Sequence, residues 1–239
     1  MLSYTINESQ RKAARVAGLA YLLPFAVVVY VNFGIHNGLI VDGNAVETAR
    51  NILAHETRFR VGIVGDLFYC VGTVALVAAL YVILEPVSRG LALLAALWRL
   101  VWDLMWLAMT LHFFDALRMI QGADYLRAVG EDRLQGLAML YLNTRLDYYY
   151  VGLIFGSLAS TLCAYLWLKS RYIPRALAIF GVISSIWCVA CTLVFYIFPK
   201  FADVVNLWWF DMPMGIFDTA LSFWLLFKGL TPVRSADVR

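Results

Sequence analysis

Six long apolar runs alternate along the chain with short polar turns and two longer connections. A bilayer core of roughly 30 Å needs about 20 apolar residues at a helical rise of about 1.5 Å each. The runs near Ala13–Phe33, Val61–Leu84, Leu91–Phe114, Tyr149–Leu168, Ala176–Phe198 and Leu207–Phe227 meet that length. The turn from Glu85 to Gly90 contains Pro86 and Gly90, which stop helices, and Pro174 closes the turn that begins at Lys169. The pattern predicts an all-α bundle of about six transmembrane helices in one membrane-embedded domain, residues 1–239.

The two longer connections, Gly34–Arg60 and Asp115–Tyr148, carry helical signals of their own. Asn44-Ala-Val-Glu47 reads as a capping box that opens a short helix. Between Ala123 and Asn143, Leu126, Val129, Leu134, Leu137, Ala138 and Tyr141 recur at helical spacing. Both segments are expected to be amphipathic helices on the outer membrane surface, or ordinary solvated connectors. The first apolar run is too long for a secretory signal and lacks a small-residue cleavage site.

Composition narrows the class. Hydrophobic residues make up 62% of the chain and charged residues 15%. A soluble domain is nearer 45–50% apolar and about 25% charged, so a soluble enzyme, a nucleic-acid binder and a disordered chain are all excluded. Charge then sets orientation. With the N-terminus inside, ten basic and three acidic residues face the cytoplasm, eight basic and nine acidic face out, and Arg99 with four aspartates falls in the spans. The short loops all lie on the basic side, as the positive-inside rule requires, so both termini are expected in the cytoplasm.

Candidate chemistry lies in the intramembrane charges. Such groups cost about 2.5–3.5 kcal/mol each on insertion scales and face a bundle interior or a water cavity. In this topology Asp66 lies roughly 8 Å below the outer boundary, Asp103 roughly 15 Å and Asp218 roughly 17 Å, with Arg99 one turn deeper than Asp103. Arg99, Asp103, Trp106 and Thr110 share one helix stripe, as do Asp66, Tyr69, Cys70 and Thr73. Asp211, Met214, Asp218 and Ser222 form a third. Arg99 is expected to pair with Asp103 or Asp66. One arginine cannot neutralise three deep carboxylates, so some are protonated or hydrated. Asp218 has no basic neighbour on its own helix and is the candidate neutral acid.

Aromatic residues make up 15% of the chain, eight of them tryptophan. Trp208, Trp209 and Tyr148–Tyr150 sit where an interfacial belt would, whereas Trp102 and Trp106 flank Asp103 more deeply. Aromatic faces beside buried carboxylates can stabilise a cation. Asp218, Asp66 and Asp103 are therefore the candidate catalytic residues. Trp102, Trp106, Arg99, Tyr69, Trp209 and Asp211 are the candidate substrate contacts, around a cavity open outward. His36, His55 and His112 lie in different segments, and no Cys/His grouping has metal-ligand spacing, so neither a metal nor another cofactor is expected. Cys70, Cys163, Cys188 and Cys191 fall inside spans, where small apolar packing is the favoured reading.

Several segments resemble a bacterial family known as domain of unknown function forty-three eighty-six. They are RKAARVAGLAYLL from Arg11, NILAHETRFRVGIVGD from Asn51, LALLAALWRL from Leu91, YIPR from Tyr172 and FWLLFKG from Phe223. The match runs in order over most of the chain. It implies a multi-spanning fold and a membrane location only, and supplies no catalytic residues. Where the family often has a glutamate-like position in the last span, this chain has Asp218.

Two classes of function remain. One is a membrane-embedded enzyme whose carboxylic acid protonates a lipophilic, isoprenoid-type substrate, as small membrane terpene cyclases do; that comparison is analogy. The other is a non-catalytic protein that binds or moves a small molecule or proton. No inverted repeat is evident in the spans, which weighs against a secondary transporter. Expected partners are membrane lipids and a lipophilic molecule, with no nucleic acid.

Overall fold

The structure is a computed structural model and describes residues 6–122, 130–206 and 208–231. All regular elements among the described residues are helical. In hydrocarbon every backbone polar group must be met within its own segment, which a helix alone does without a partner strand. We number the helices α1 (Glu8–Val29), α2 (Ala45–Ala54), α3 (Glu56–Leu84), α4 (Arg89–Ile120), α5 (Glu131–Asn143), α6 (Arg145–Ser170), α7 (Arg175–Ile197) and α8 (Trp208–Phe227). Past Val29, α1 widens into a π-helical stretch, Tyr30–His36, and ends in a last turn, Asn37–Leu39.

Among the described residues, five helical stretches are long and apolar enough to cross a membrane: Glu8–Leu39, Glu56–Leu84, Arg89–Ile120, Arg133–Ser170 and Arg175–Ile197. They mark the chain as an integral membrane protein. The sixth expected span is present as the 20-residue helix α8 but is less apolar than these five. Asp211, Asp218, Pro213 and the leading Trp208 and Trp209 lower its hydropathy. Several helices outrun the apolar segments that signalled them. α3 begins at Glu56, covered by a 2.6 Å pair with Arg60, and α4 runs on through a 3.6 Å Asp115–Arg118 pair. Hydropathy marks only the lipid-facing length, while the helix continues as long as each new residue adds a backbone bond.

The chain divides into two compact units. The first comprises residues 1–23, 72–103 and 152–239; the second comprises 24–71 and 104–151. Helices α1, α3, α4 and α6 each contribute one part to either unit.

The first unit is packed largely through small residues. Ala14, Ala17, Ala79, Ala92, Ala95, Ala164 and Ala178 are buried beside Trp167, Tyr172, Phe217 and Leu221. Small side chains allow the close helix approach that membrane packing relies on, because lipid supplies no hydrophobic force between helices. α7 packs along α8. At Gly181 an added Cβ would lie 2.5 Å from the Phe217 ring, and at Gly18 it would lie 2.6 Å from Leu226. Pro213 lacks the N–H that would bond the Trp209 carbonyl, and the Trp187 indole donates to that carbonyl at 2.8 Å.

In the second unit, Asn44 caps α2. Its Oδ1 accepts from the Glu47 N–H at 3.0 Å, and its amide donates to the Glu47 carboxylate at 2.9 Å. α2 packs against α5, with Thr48, Ala49 and Ile52 buried on one and Leu134, Ala138 and Leu142 on the other. The expected helix over Ala123–Asn143 is described from Glu131 onward; Leu126 and Val129 lie outside the described residues. On α3, Val61, Val64, Phe68 and Val71 are 47–70% exposed, and Asp66 is fully buried. An apolar stripe of that size suits lipid contact and would promote aggregation in water.

Gly181→Val should be destabilising, because Phe217 is buried and has no free space to move into. Overpacking of this kind costs about 1–3 kcal/mol, so the midpoint of thermal unfolding in detergent should fall. An unchanged midpoint would mean that α7 and α8 pack more loosely than 2.5 Å implies.

Candidate functional site

The second unit brings together groups from three helical segments around Asp66. The π-helical stretch delivers His36, α3 delivers Asp66 and Tyr69, and α4 delivers Trp106. A π-turn adds one residue to a helical turn and shifts the face on which later side chains emerge. Here Ile35 and His36 are both buried as a result, and Arg58 donates to the Gly34 carbonyl within the widened stretch. Gly62, one turn before Asp66, makes room for the ring: a Cβ there would sit 2.8 Å from His36 Nε2.

Asp66 is wholly buried and His36 is 2% exposed. Trp106 Nε1 donates to Asp66 Oδ1 at 3.3 Å. The other carboxyl oxygen, Oδ2, lies 3.8 Å from His36 Nε2. That separation exceeds hydrogen-bond length. Both atoms are sealed from solvent and lack a hydrogen-bond partner. Phe113 meets the imidazole edge-on at 4.5 Å, with Phe59 at 6.0 Å. On the far side of the carboxyl, Trp106 lies 4.6 Å from the Tyr69 ring and 6.1 Å from Tyr149. A carboxyl group held by one N–H, facing an imidazole across a gap that one proton or a small movement would close, is an acid–base pair by composition.

The first unit holds a second cluster, centred on Arg99. Its Nη2 donates to Ser160 Oγ at 2.6 Å, and its guanidinium carbon sits 5.5 Å from the Tyr21 ring centroid. Asp218 accepts a hydrogen bond from Tyr21 and lies within electrostatic reach of Arg99. A recess lined by Val77, Leu80, Ala92, Ala95, Arg99 and Cys163 has space for about one water. Trp102 and Asp103 are buried, and Trp102 packs over Gly156, where a Cβ would lie 3.2 Å from the indole.

The expected site residues therefore fall into different settings. Asp66, Tyr69 and Trp106 cluster in the second unit; Arg99, Trp102, Asp103 and Asp218 belong to the first. Asp218 has no base on its own helix, but α4 supplies Arg99 from across the packing. Ser160 and Tyr21 as partners of Arg99 were not read from the sequence. Asp211 is partly buried and Trp209 is 58% exposed, as a belt residue would be. His36 is the principal member of the Asp66 cluster that sequence periodicity misses. The four cysteines are buried and form no disulfide among the described residues.

Arg99→Leu should destabilise the protein by about 1–3 kcal/mol, because it removes the hydrogen bond to Ser160 and the positive charge that acts on Asp218. Asp218→Asn in the same chain should recover part of that loss. Equal thermal midpoints in detergent for Arg99→Leu and the parent would show that the pair contributes nothing to folding.

Among curated proteins and solved structures, none matches this chain. A protein family does match, over residues 16–229, and its span takes in both clusters. The chain belongs to the family described as Domain of unknown function (DUF4386).

Proposed function

We propose that this protein acts as a membrane-embedded acid on a lipophilic substrate of isoprenoid type, with Asp66 as proton donor and His36 as its proton partner. The supporting observation is the sealed pair of unpartnered atoms, Asp66 Oδ2 and His36 Nε2, 3.8 Å apart. A buried polar atom left without a partner is costly, and such exceptions in native structures call for a functional account. In this reading the Asp66 proton adds to an alkene or epoxide of the substrate. The Trp106 N–H steadies the resulting carboxylate through Oδ1, and the Trp106 and Tyr69 ring faces stabilise the cation. Loss of a proton from the cation to the Asp66–His36 pair restores the acid, so the net reaction consumes no proton. Asp218 lies within electrostatic reach of Arg99 and takes a structural role in this reading, so the acid role expected of Asp218 passes to Asp66.

The test compares lipid extracts from cells expressing the parent, Asp66→Asn and His36→Gln, in a host supplied with polyene and prenylated precursors. The parent should yield a product that Asp66→Asn lacks, with His36→Gln reduced at least tenfold. An equal product profile from folded Asp66→Asn would overturn the acid role and leave binding or transport as the function of the pair.

The same proposal places the chain in the bacterial cytoplasmic membrane with six spans. Helix α8 is the sixth, both termini face the cytoplasm, and α2 and α5 lie as amphipathic helices at the outer surface among lipid head groups. The charge asymmetry supports this orientation. All four native thiols are buried, so a single added cysteine can be read cleanly. A membrane-impermeant thiol reagent applied from outside should label Asn44→Cys and spare Ser88→Cys. Labelling of Ser88→Cys from that side would invert the topology.

A further inference from the structure

A second group of unmet atoms lies within the second unit, and all of them are nitrogens. Arg145 Nη1 and His112 Nδ1 are sealed from solvent and have no hydrogen-bond partner. Arg145 Nη2 lies 3.8 Å from a carboxyl oxygen of Asp42, whose side chain is 86% exposed. Asp115, one turn along α4 from His112, is engaged by Arg118. Tyr148 Oη meets His112 Nε2 at 2.7 Å, and the imidazole lies 4.7 Å from the Tyr141 ring. In the tautomer in which the Tyr148 hydroxyl donates to Nε2, the ring proton lies on Nδ1, which is then a second donor.

These donors share a face. Helical bonds continue from Leu140 through Thr144 to Tyr148, so Tyr141, Arg145 and Tyr148 follow i, i+4 and i+7 along one stripe. His112 contacts the first and last of them and so lies against the stripe that carries Arg145. A planar guanidinium with an unused N–H, beside an imidazole N–H, matches the oxygens of a phosphate or carboxylate. Tyr149, the next residue after Tyr148, packs edge-on to Trp106 and so leads toward Asp66. Along α4 the six residues from Trp106 to His112 span about 9 Å.

We infer that Arg145 and His112 seat the oxyanion head group of a single-headed amphiphile whose apolar part lies along Tyr149 and Trp106. The head site stands on its own unpaired donors. Only the role of the tail rests on the proposed chemistry of Asp66: a head anchored about 9 Å away along α4 presents the apolar part of the molecule, not its head, to the acid. Arg145→Gln removes an ion pair with the exposed Asp42 and the positive charge that acts on His36, and leaves no internal carboxylate without its partner among the described residues, so the empty protein should fold.

The experiment measures binding to the purified full chain in an uncharged detergent, by thermal shift and native mass spectrometry. Three probes are used: monododecyl phosphate, inorganic phosphate and dodecanol. Monododecyl phosphate should bind the parent and Asp66→Asn alike, and at least tenfold more weakly to Arg145→Gln and to His112→Gln. Unchanged binding to both variants would overturn the site. Should either variant fail to fold, the probes decide on the parent alone. Dodecanol binding as well as the phosphate ester would overturn the anion seat, and inorganic phosphate binding as tightly as the ester would overturn the amphiphile. Tight binding together with an unchanged lipid profile in Asp66→Asn cells would support the head site and overturn the acid alone.

Discussion

A polar atom inside a membrane has no water to fall back on, and this requirement shapes almost every local feature of the chain. Where proline removes a donor, another residue supplies one: the Trp187 indole meets the Trp209 carbonyl that Pro213 leaves open. Where the π-turn loosens the backbone ladder, Arg58 reaches the Gly34 carbonyl. Where serine and threonine hydroxyls lie within helices, they bond carbonyls a turn back, as Ser157 does to Leu153 and Thr192 to Cys188. Arg99 has Ser160, and Tyr21 serves both Arg99 and Asp218. Unmet buried atoms remain in both units, among them Asp218 Oδ1, Ser185 Oγ, Trp167 Nε1 and Trp224 Nε1 in the first; in the second, those of Asp66 and His36 face each other at 3.8 Å.

Much of this was legible in the order of residues, because apolar length and helix punctuation are local properties. The turn at Pro86, the start of α7 after Pro174 and the Asn44 cap were readable for that reason. The stripe carrying Asp66 and Tyr69, and the depth of Trp106, also follow from a 3.6-residue period. His36 does not. The period breaks at Tyr30, and no residue type between Val29 and Asn37 announces a π-turn. A glycine at position 62 with a histidine one helix away has no meaning until the helices are packed. The partners of Arg99 were hidden for a related reason. Ser160 and Asp218 sit on helices whose rotation about their own axes is set by alanine and glycine contacts, not by charge. Pro213 is a legible exception: a proline in a helix frees the carbonyl four residues earlier, which calls for a donor near Trp209, although the sequence does not say that Trp187 supplies it.

The small residues and the polar clusters are two sides of the same packing problem. Close approach at Gly18, Gly62, Gly65 and Gly181 draws helices near enough for short polar side chains to reach one another. At Gly65 the facing atom is the Val31 side chain, 2.5 Å from where a Cβ would stand, on the segment that goes on to His36. The glycine pair at 62 and 65 therefore seats the π-turn against α3. It fixes His36 opposite Asp66 through van der Waals contact and not through a hydrogen bond between them. A pair positioned by its scaffold can gain or lose a proton without losing its geometry, which is what an acid–base site requires.

The placement of Asp66 on α3 carries this one step further. The helix turns Val61, Val64, Phe68 and Val71 outward and Asp66 inward, so one helix separates lipid from acid by its own diameter. Isolation of this kind keeps water from competing for the proton and strengthens each electrostatic contact in the site. It also means that a reactant soluble in the bilayer needs no aqueous route. The aromatic rings of Tyr69, Trp106 and Tyr149 present apolar faces with polar tips, surfaces along which a hydrocarbon chain can lie while its head stays with the polar groups. The proposed chemistry, addition and removal of a proton on carbon, asks for no more than a carboxyl, an imidazole and flat ring faces.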